Sequence, residues 1–359
     1  MALCEILKKL TFNERSKQMI GNMDSMVQHL DAIAEHVMRK TAGELDTYPR
    51  GVTPREEVYN AGNVSLLRFI SPEGVEGTPL LIIPSLINRW YVLDVTEETS
   101  FIKQFAQQRP TYLIDWGYPG EEVGHLPLSH YYHRSIKRAV RQICRQTDVE
   151  KVDMLGYCIG GTMAYAFSCL EPDLVDHLVL LTAPIDFADA GIFAKYAEYF
   201  PIEEFSASMN KMPGWLLAAS FQFVQPMGLY QKTKMFNDKF ESESFMKLYN
   251  AMERWIADPV DFPGKAYYEL ITDLYKKNLL TKGTLMTADG QTVDPSARRA
   301  KTLVLNAGKD HIAPLVTTEL PASDLAPVSK VTIPSGHIGI TTGRNAKDAC
   351  QSAIDFLTN

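Results

Sequence analysis

The chain carries no excess of positive charge, no long apolar run, no paired-cysteine motif and no internal repeat or low-complexity stretch. Its 36 Lys and Arg against 43 Asp and Glu give a formal net charge of −7. That balance exerts no pull on a polyanionic backbone, so no nucleic-acid partner is expected. No stretch approaches the roughly 20 consecutive apolar residues that a membrane-spanning helix needs. Near the start, Lys8 and Lys9 are followed by no apolar core of a signal peptide. The expectation is a cytoplasmic protein without a transmembrane segment. The five cysteines (Cys4, Cys144, Cys158, Cys169, Cys350) are odd in number and show neither CxxC nor Cys/His zinc spacing. That usage fits a reducing compartment and suggests no metal site. What is present is length and apolar content: 359 residues, 45% hydrophobic, can bury a large core.

Strand-like apolar runs alternate with helical stretches, the pattern of a mostly parallel sheet. Candidate strands are Leu66–Phe69, Leu80–Ile83, Tyr112–Ile114, Val152–Leu155 and Leu178–Leu181, with Thr302–Asn306 and Lys330–Ile333 later in the chain. Between 186 and 298 this rhythm stops, and the sequence becomes rich in Phe, Tyr, Met and Pro. The expected organisation is an N-terminal helical segment (1–50), a core (51–185 and 299–359) and a helical cap inserted at 186–298. In the first segment Ile20, Met23, Val27, Leu30, Ala34 and Val37 recur at three- and four-residue intervals, one apolar stripe of a helix. The stripe packs either on the protein's own body or on a partner.

One pentapeptide carries the chemistry. Gly156-Tyr157-Cys158-Ile159-Gly160 follows the strand Lys151–Leu155 and precedes a helix that opens at Gly161. This is the strand-turn-helix setting of a nucleophile elbow, with cysteine in the usual serine position. Flanking glycines let strand and helix approach closely at such a turn. Two later segments supply partners. Thr302–Asn306 runs into Ala307-Gly308-Lys309-Asp310-His311, which puts an acid just past a strand end, and Lys330–Ile333 runs into Pro334-Ser335-Gly336-His337-Ile338-Gly339. Nucleophile, acid, histidine is the chain order of the α/β-hydrolase fold. Cys158, Asp310 and His337 are therefore the expected catalytic residues. His311, beside Asp310, either lines the site or fixes the loop. The oxyanion hole is expected from the backbone N–H of Ile159 and from the loop after the early strand, at Leu86 or Ile87.

The elbow, the Asp310-His311 pair and Gly336-His337-Ile338-Gly339 together resemble polyhydroxyalkanoate synthase. Pro84–Asp94, Ile114-Asp115-Trp116-Gly117-Tyr118-Pro119, Met252-Glu253-Arg254-Trp255-Ile256 and Pro263-Gly264 agree, so the resemblance covers about Thr53 onward. It implies polymerisation of 3-hydroxyacyl groups from coenzyme A thioesters, with the thioester as substrate and no cofactor. It also implies the short catalytic subunit of the two-subunit classes (class III/IV-like), a small second subunit, a homodimer through the cap, and attachment to polyester granules. Asn88 and Tyr91 become possible lining residues, and Asp310 acquires a second possible task, deprotonating the 3-hydroxyl. Ser129-His130-Tyr131 departs from the family's acidic pair before tyrosine and reads as a surface helix start. A cysteine-dependent thioesterase or esterase of the same fold, and a non-catalytic acyl-binding granule protein, remain alternatives.

Overall fold

The computed structural model describes residues 44–224 and 227–358. The expected N-terminal stripe lies outside them, and of that segment only a 3-10 turn at Glu44–Thr47 is described.

Eight strands form one sheet in the order β1-β2-β4-β3-β5-β6-β9-β10. They are β1 (Arg55–Ala61), β2 (Val64–Phe69), β3 (Leu80–Ile83), β4 (Thr111–Asp115), β5 (Val152–Tyr157), β6 (Val175–Leu181), β9 (Lys301–Ala307) and β10 (Val328–Ile333). A two-stranded pair, β7 (Lys211–Met212) with β8 (Phe262–Pro263), lies in the insertion. β1 and β2 pair antiparallel, β2 joins β4 antiparallel, and every later pairing in the large sheet is parallel. The central strands explain the apolar runs: all four residues of β3 and all six of β5 are buried, as expected of strands covered on both faces. β1, Arg-Glu-Glu-Val-Tyr-Asn-Ala, escapes the sequence reading because it is an edge strand with exposed charged residues.

The helices are α1 (Phe101–Ala106), α2 (Ile136–Thr147), α3 (Ile159–Leu170), α4 (Gly191–Tyr199), α5 (Ile202–Ser208), α6 (Gly214–Val224), α7 (Gly228–Lys239), α8 (Glu243–Ile256), α9 (Gly264–Glu269), α10 (Gly339–Thr342) and α11 (Ala346–Thr358). α3, which follows Cys158, is buried along eleven of its twelve residues. The helix start expected at Ser129 exists, as a π-helical turn over His130–Ser135 leading into α2, but it is not on the surface. Ser129 and Tyr131 are buried, and the Ser129 hydroxyl accepts from the Ala288 amide at 3.1 Å.

The insertion is helical but not one unit. The chain divides into two compact units: residues up to Pro49 with Leu229–Arg254, and Arg50–Gly228 with Trp255 onward. The middle of the expected 186–298 cap therefore belongs with the segment before β1. Polar pairing accounts for part of this: Asn250 Nδ2 donates to the Tyr48 hydroxyl at 2.9 Å, and Arg254 pairs with Asp46 at 3.2 Å.

At the sheet edge opposite the nucleophile, Arg109 reaches Asp153 at 2.5 Å and the Leu357 carbonyl at 2.7 Å, tying β5 to the end of α11. Burial raises the Asp153 pKa, while Arg109 and His177 oppose the rise.

Candidate active site

Cys158 stands between the buried end of β5 and the first turn of α3, with φ 56° and ψ −131°. A non-glycine residue at positive φ stores strain, which close packing around it must hold. The glycines show how tight that packing is. A Cβ on Gly156 would lie 2.4 Å from the Gly161 Cα, and one on Gly160 would lie 2.1 Å from the Ile83 carbonyl oxygen. A Cβ on Gly161 would meet the Ala183 Cβ at 2.3 Å. The glycine spacing is thus the contact by which α3 sits against β3, β5 and the end of β6. Gly160→Ala is expected to lose about 1–3 kcal/mol or more, because backbone rather than a flexible side chain must give way. Urea denaturation checks this, and a change within a few tenths of a kcal/mol would refute it.

The three expected catalytic residues converge. His337 Nδ1 and Asp310 Oδ2 are 2.7 Å apart, with both side chains nearly fully buried, and the His337 ring also hydrogen-bonds Cys158. Burial alone lowers the His337 pKa. The negative charge of Cys158, the bonds to Asp310 and Cys158, and the charge of Asp310 outweigh it and raise the value to about 10. The arrangement therefore keeps the His337 ring protonated at neutral pH, bonded to both Asp310 and Cys158. Because Cys158 is the largest raising cause, His337 in Cys158→Ala should titrate at lower pH than in the wild type. NMR titration of the ring nitrogens measures it, and equal values would refute the coupling of His337 to Cys158.

Asp310 is fixed on its other side, where Oδ1 accepts the amides of Ile312 and Ala313 at 2.8 Å each. Tyr157 supports the ring of His337 from below, with centroids 5.5 Å apart and its hydroxyl donating to the His337 carbonyl at 3.2 Å. The sequence named Tyr157 only as part of the elbow.

The loop after β3 brings Ile87 beside Cys158 and Ile159. The Ile87 amide is already committed to the Ser85 hydroxyl at 3.2 Å. Of the two expected loop donors, Leu86 is the one whose amide has no acceptor among the described residues. The loop is anchored by Arg89 to the Gly117 carbonyl at 2.7 Å and to Asp115 at 3.0 Å, by Trp90 to Asp115 at 3.0 Å, and by Trp116 to the Pro84 carbonyl at 2.9 Å.

The other expected lining residues do not line the cavity. Asn88 and His311 are exposed to solvent. Tyr91 is buried, and its hydroxyl donates to Asp258 at 2.8 Å, a carboxylate that also holds Tyr118 and Arg50 at 2.7 and 3.0 Å. Burial raises the Asp258 pKa, but these three donors bring it below its ordinary value.

The cavity over Cys158 has a volume of about 60 Å³. Ile87, Ile159, Pro184 and Ile312 contribute from the core, and Phe193, Tyr196, Leu217, Ser220, Phe221, Tyr267, Leu270, Ile271 and Tyr275 from the insertion. The sequence placed aromatic residues in this insertion but not these tyrosines at the nucleophile. Among the described residues one group of three, Asp153, Asp176 and His177, brings ligand atoms close enough to meet at one ion. Asp153 there is committed to Arg109 and His177, so the group reads as a structural ion pair.

Residues 78–343 match the α/β hydrolase fold family. Residues 4–105 match the family described as poly-beta-hydroxybutyrate polymerase (PhaC) N-terminus. Among solved structures, a putative lipase from Sulfolobus solfataricus shares the fold with a TM-score of 0.55 at 16% identity, over 85% of this chain and 92% of that one. The poly(3-hydroxyalkanoate) polymerase subunit PhaC of Thiocystis violacea is 32% identical over 88% of this chain and 90% of its own length. That of Synechocystis is 33% identical over 86% and 85%. The Cupriavidus necator subunit is 25% identical over 76% of this chain but only 48% of its own. The chain therefore belongs to the poly(3-hydroxyalkanoate) polymerase family, as a PhaC-type catalytic subunit with acyltransferase activity.

Proposed function

We propose that the protein polymerises (R)-3-hydroxyacyl-CoA, with 3-hydroxybutyryl-CoA as substrate, through thioester intermediates on Cys158. The Cys158 thiolate attacks the acyl carbonyl carbon, and the amides of Ile159 and Leu86 receive the oxyanion. Collapse expels the coenzyme A thiolate, which takes its proton from the His337 imidazolium. The hydroxyl of a second 3-hydroxyacyl thioester then gives its proton to His337 and attacks the acyl-Cys158 carbon. An ester forms and the Cys158 thiolate leaves, paired again with His337. The lengthened thioester re-acylates Cys158 with release of coenzyme A, and the cycle repeats. Exchange of one thioester for another is nearly balanced in energy, so the acyl group stays activated between steps.

The observation that carries this reading is the buried Asp310–His337 bond at 2.7 Å joined to the strained Cys158. With both Asp310 oxygens engaged, orienting His337 is its better-supported task. The cavity admits only on the order of a few water molecules at about 60 Å³, so the insertion helices must shift to admit an acyl chain, and their closed position excludes competing water. We assign the chain to the short two-subunit classes, since it spans most of its short relatives. Activation by a second subunit, a dimer through the cap, and a granule surface as workplace belong to the same proposal. Exposed Tyr199 and Trp215 on the insertion fit such apolar contacts.

Incubation with 3-hydroxybutyryl-CoA, following coenzyme A and polymer together, tests the reaction. Coenzyme A release with a growing polyester supports it, whereas release with free 3-hydroxybutyrate alone would identify a thioesterase.

A further inference from the structure

Five side chains lining the cavity carry a polar or titratable group: Cys158, Tyr196, Ser220, Tyr267 and Tyr275. Cys158 is held by His337. The Ser220 hydroxyl donates to the Leu216 carbonyl at 2.9 Å, and Tyr196 and Tyr267 hydrogen-bond each other. The Tyr275 hydroxyl is left without an intramolecular partner among the described residues.

Its position is built rather than incidental. Tyr275 lies in a π-helical turn, Leu270–Lys276, a distortion frequent at functional sites. Its ring packs edge-on against Phe187 at 4.8 Å. Phe187 is in turn pinned, its amide donating to Asn278 Oδ1 at 3.1 Å while Asn278 Nδ2 donates to Asp186 at 2.8 Å. The clamp joins the loop after β6 to the residues just past the π-helical turn, and holds Phe187 against the tyrosine ring. Burial, and then the charge of Cys158, push the Tyr275 pKa well above its ordinary value. The phenol therefore stays neutral over any working pH and can give or receive a hydrogen bond, but cannot serve as a base.

We propose that Tyr275 is the specificity-determining residue that hydrogen-bonds the 3-oxygen of the acyl group on Cys158, selecting 3-hydroxyacyl over unsubstituted acyl thioesters. This rests on the polymerase reading above. The 3-oxygen lies only a few bonds from the sulfur, inside the same apolar cavity, where a hydroxyl without a partner would be costly. An acyl group lacking that oxygen leaves Tyr275 unsatisfied instead.

The test is single-turnover acylation of Cys158, read by intact mass, with 3-hydroxybutyryl-CoA and with butyryl-CoA, in the wild type and in Tyr275→Phe. The ratio of the two rates should fall about three- to ten-fold in the variant, the size of one neutral hydrogen bond. The loss should come from slower reaction of the hydroxylated substrate. An unchanged ratio, or a parallel fall for both thioesters, would overturn the assignment, because packing alone acts on both. If wild-type Cys158 accepts neither thioester, the polymerase reading falls with it. Normal acylation with an unaltered ratio removes the Tyr275 inference alone.

Discussion

Cys158→Ala should abolish acyl transfer while the protein stays folded, with acylation reduced by at least about 10⁴-fold. The substitution removes one sulfur from a buried site, a small change in volume, and leaves the glycine contacts of Gly156, Gly160 and Gly161 untouched. Alanine cannot form a thioester, so intact mass after exposure to 3-hydroxybutyryl-CoA should show no adduct. A covalent acyl group on the alanine variant would remove Cys158 from the mechanism. Cys158→Ser sharpens the point. Serine can be acylated through the same elbow, but the product is an ester, less reactive toward the next hydroxyl, so an acyl-enzyme should accumulate with little polymer. Wild-type turnover in the serine variant would defeat the argument that cysteine is needed to keep the acyl group activated.

The positions of Cys158 and Asp310 could be read from sequence because each follows a strand buried along almost its whole length and therefore mostly apolar. His337 follows β10, an edge strand exposed at most positions, and was legible through its glycine-flanked loop and its place in the chain order. Once the order of strands is known, their loops must gather at one edge of a parallel sheet. β1 was invisible for the opposite reason, since an exposed edge strand needs no apolar pattern. Tyr91 was misplaced because an aromatic residue near a site motif gives no sign of which way it turns, and its partner Asp258 lies 167 residues away. The same long separation hid Tyr275, whose clamp to Asp186 and Phe187 joins positions about 90 residues apart. A π-helical turn adds no periodic signal that would mark it. The division of the insertion followed from polar pairs such as Asn250 with Tyr48, which leave no trace in local composition.

His337→Gln should be nearly as damaging as loss of the nucleophile, costing about 10²–10⁴-fold in acylation, because both thiolate formation and protonation of the leaving group pass through its ring. Asp310→Asn should also damage the first acylation, and the hydrogen bonds show why. Two backbone amides donate to Oδ1, so an asparagine keeps its oxygen there and turns its NH₂ toward His337. Nδ1 must then accept, which leaves the proton on the nitrogen facing Cys158, the wrong tautomer for a base. Were Asp310 chiefly the base for the chain hydroxyl, the same variant would accept the first acyl group at the wild-type rate and stall only at elongation. Rapid-quench measurement of adduct formation separates these outcomes. A normal first acylation in Asp310→Asn would reassign the carboxylate to the hydroxyl, and His311→Gln, altering an exposed side chain, is the control and should leave both steps close to wild type.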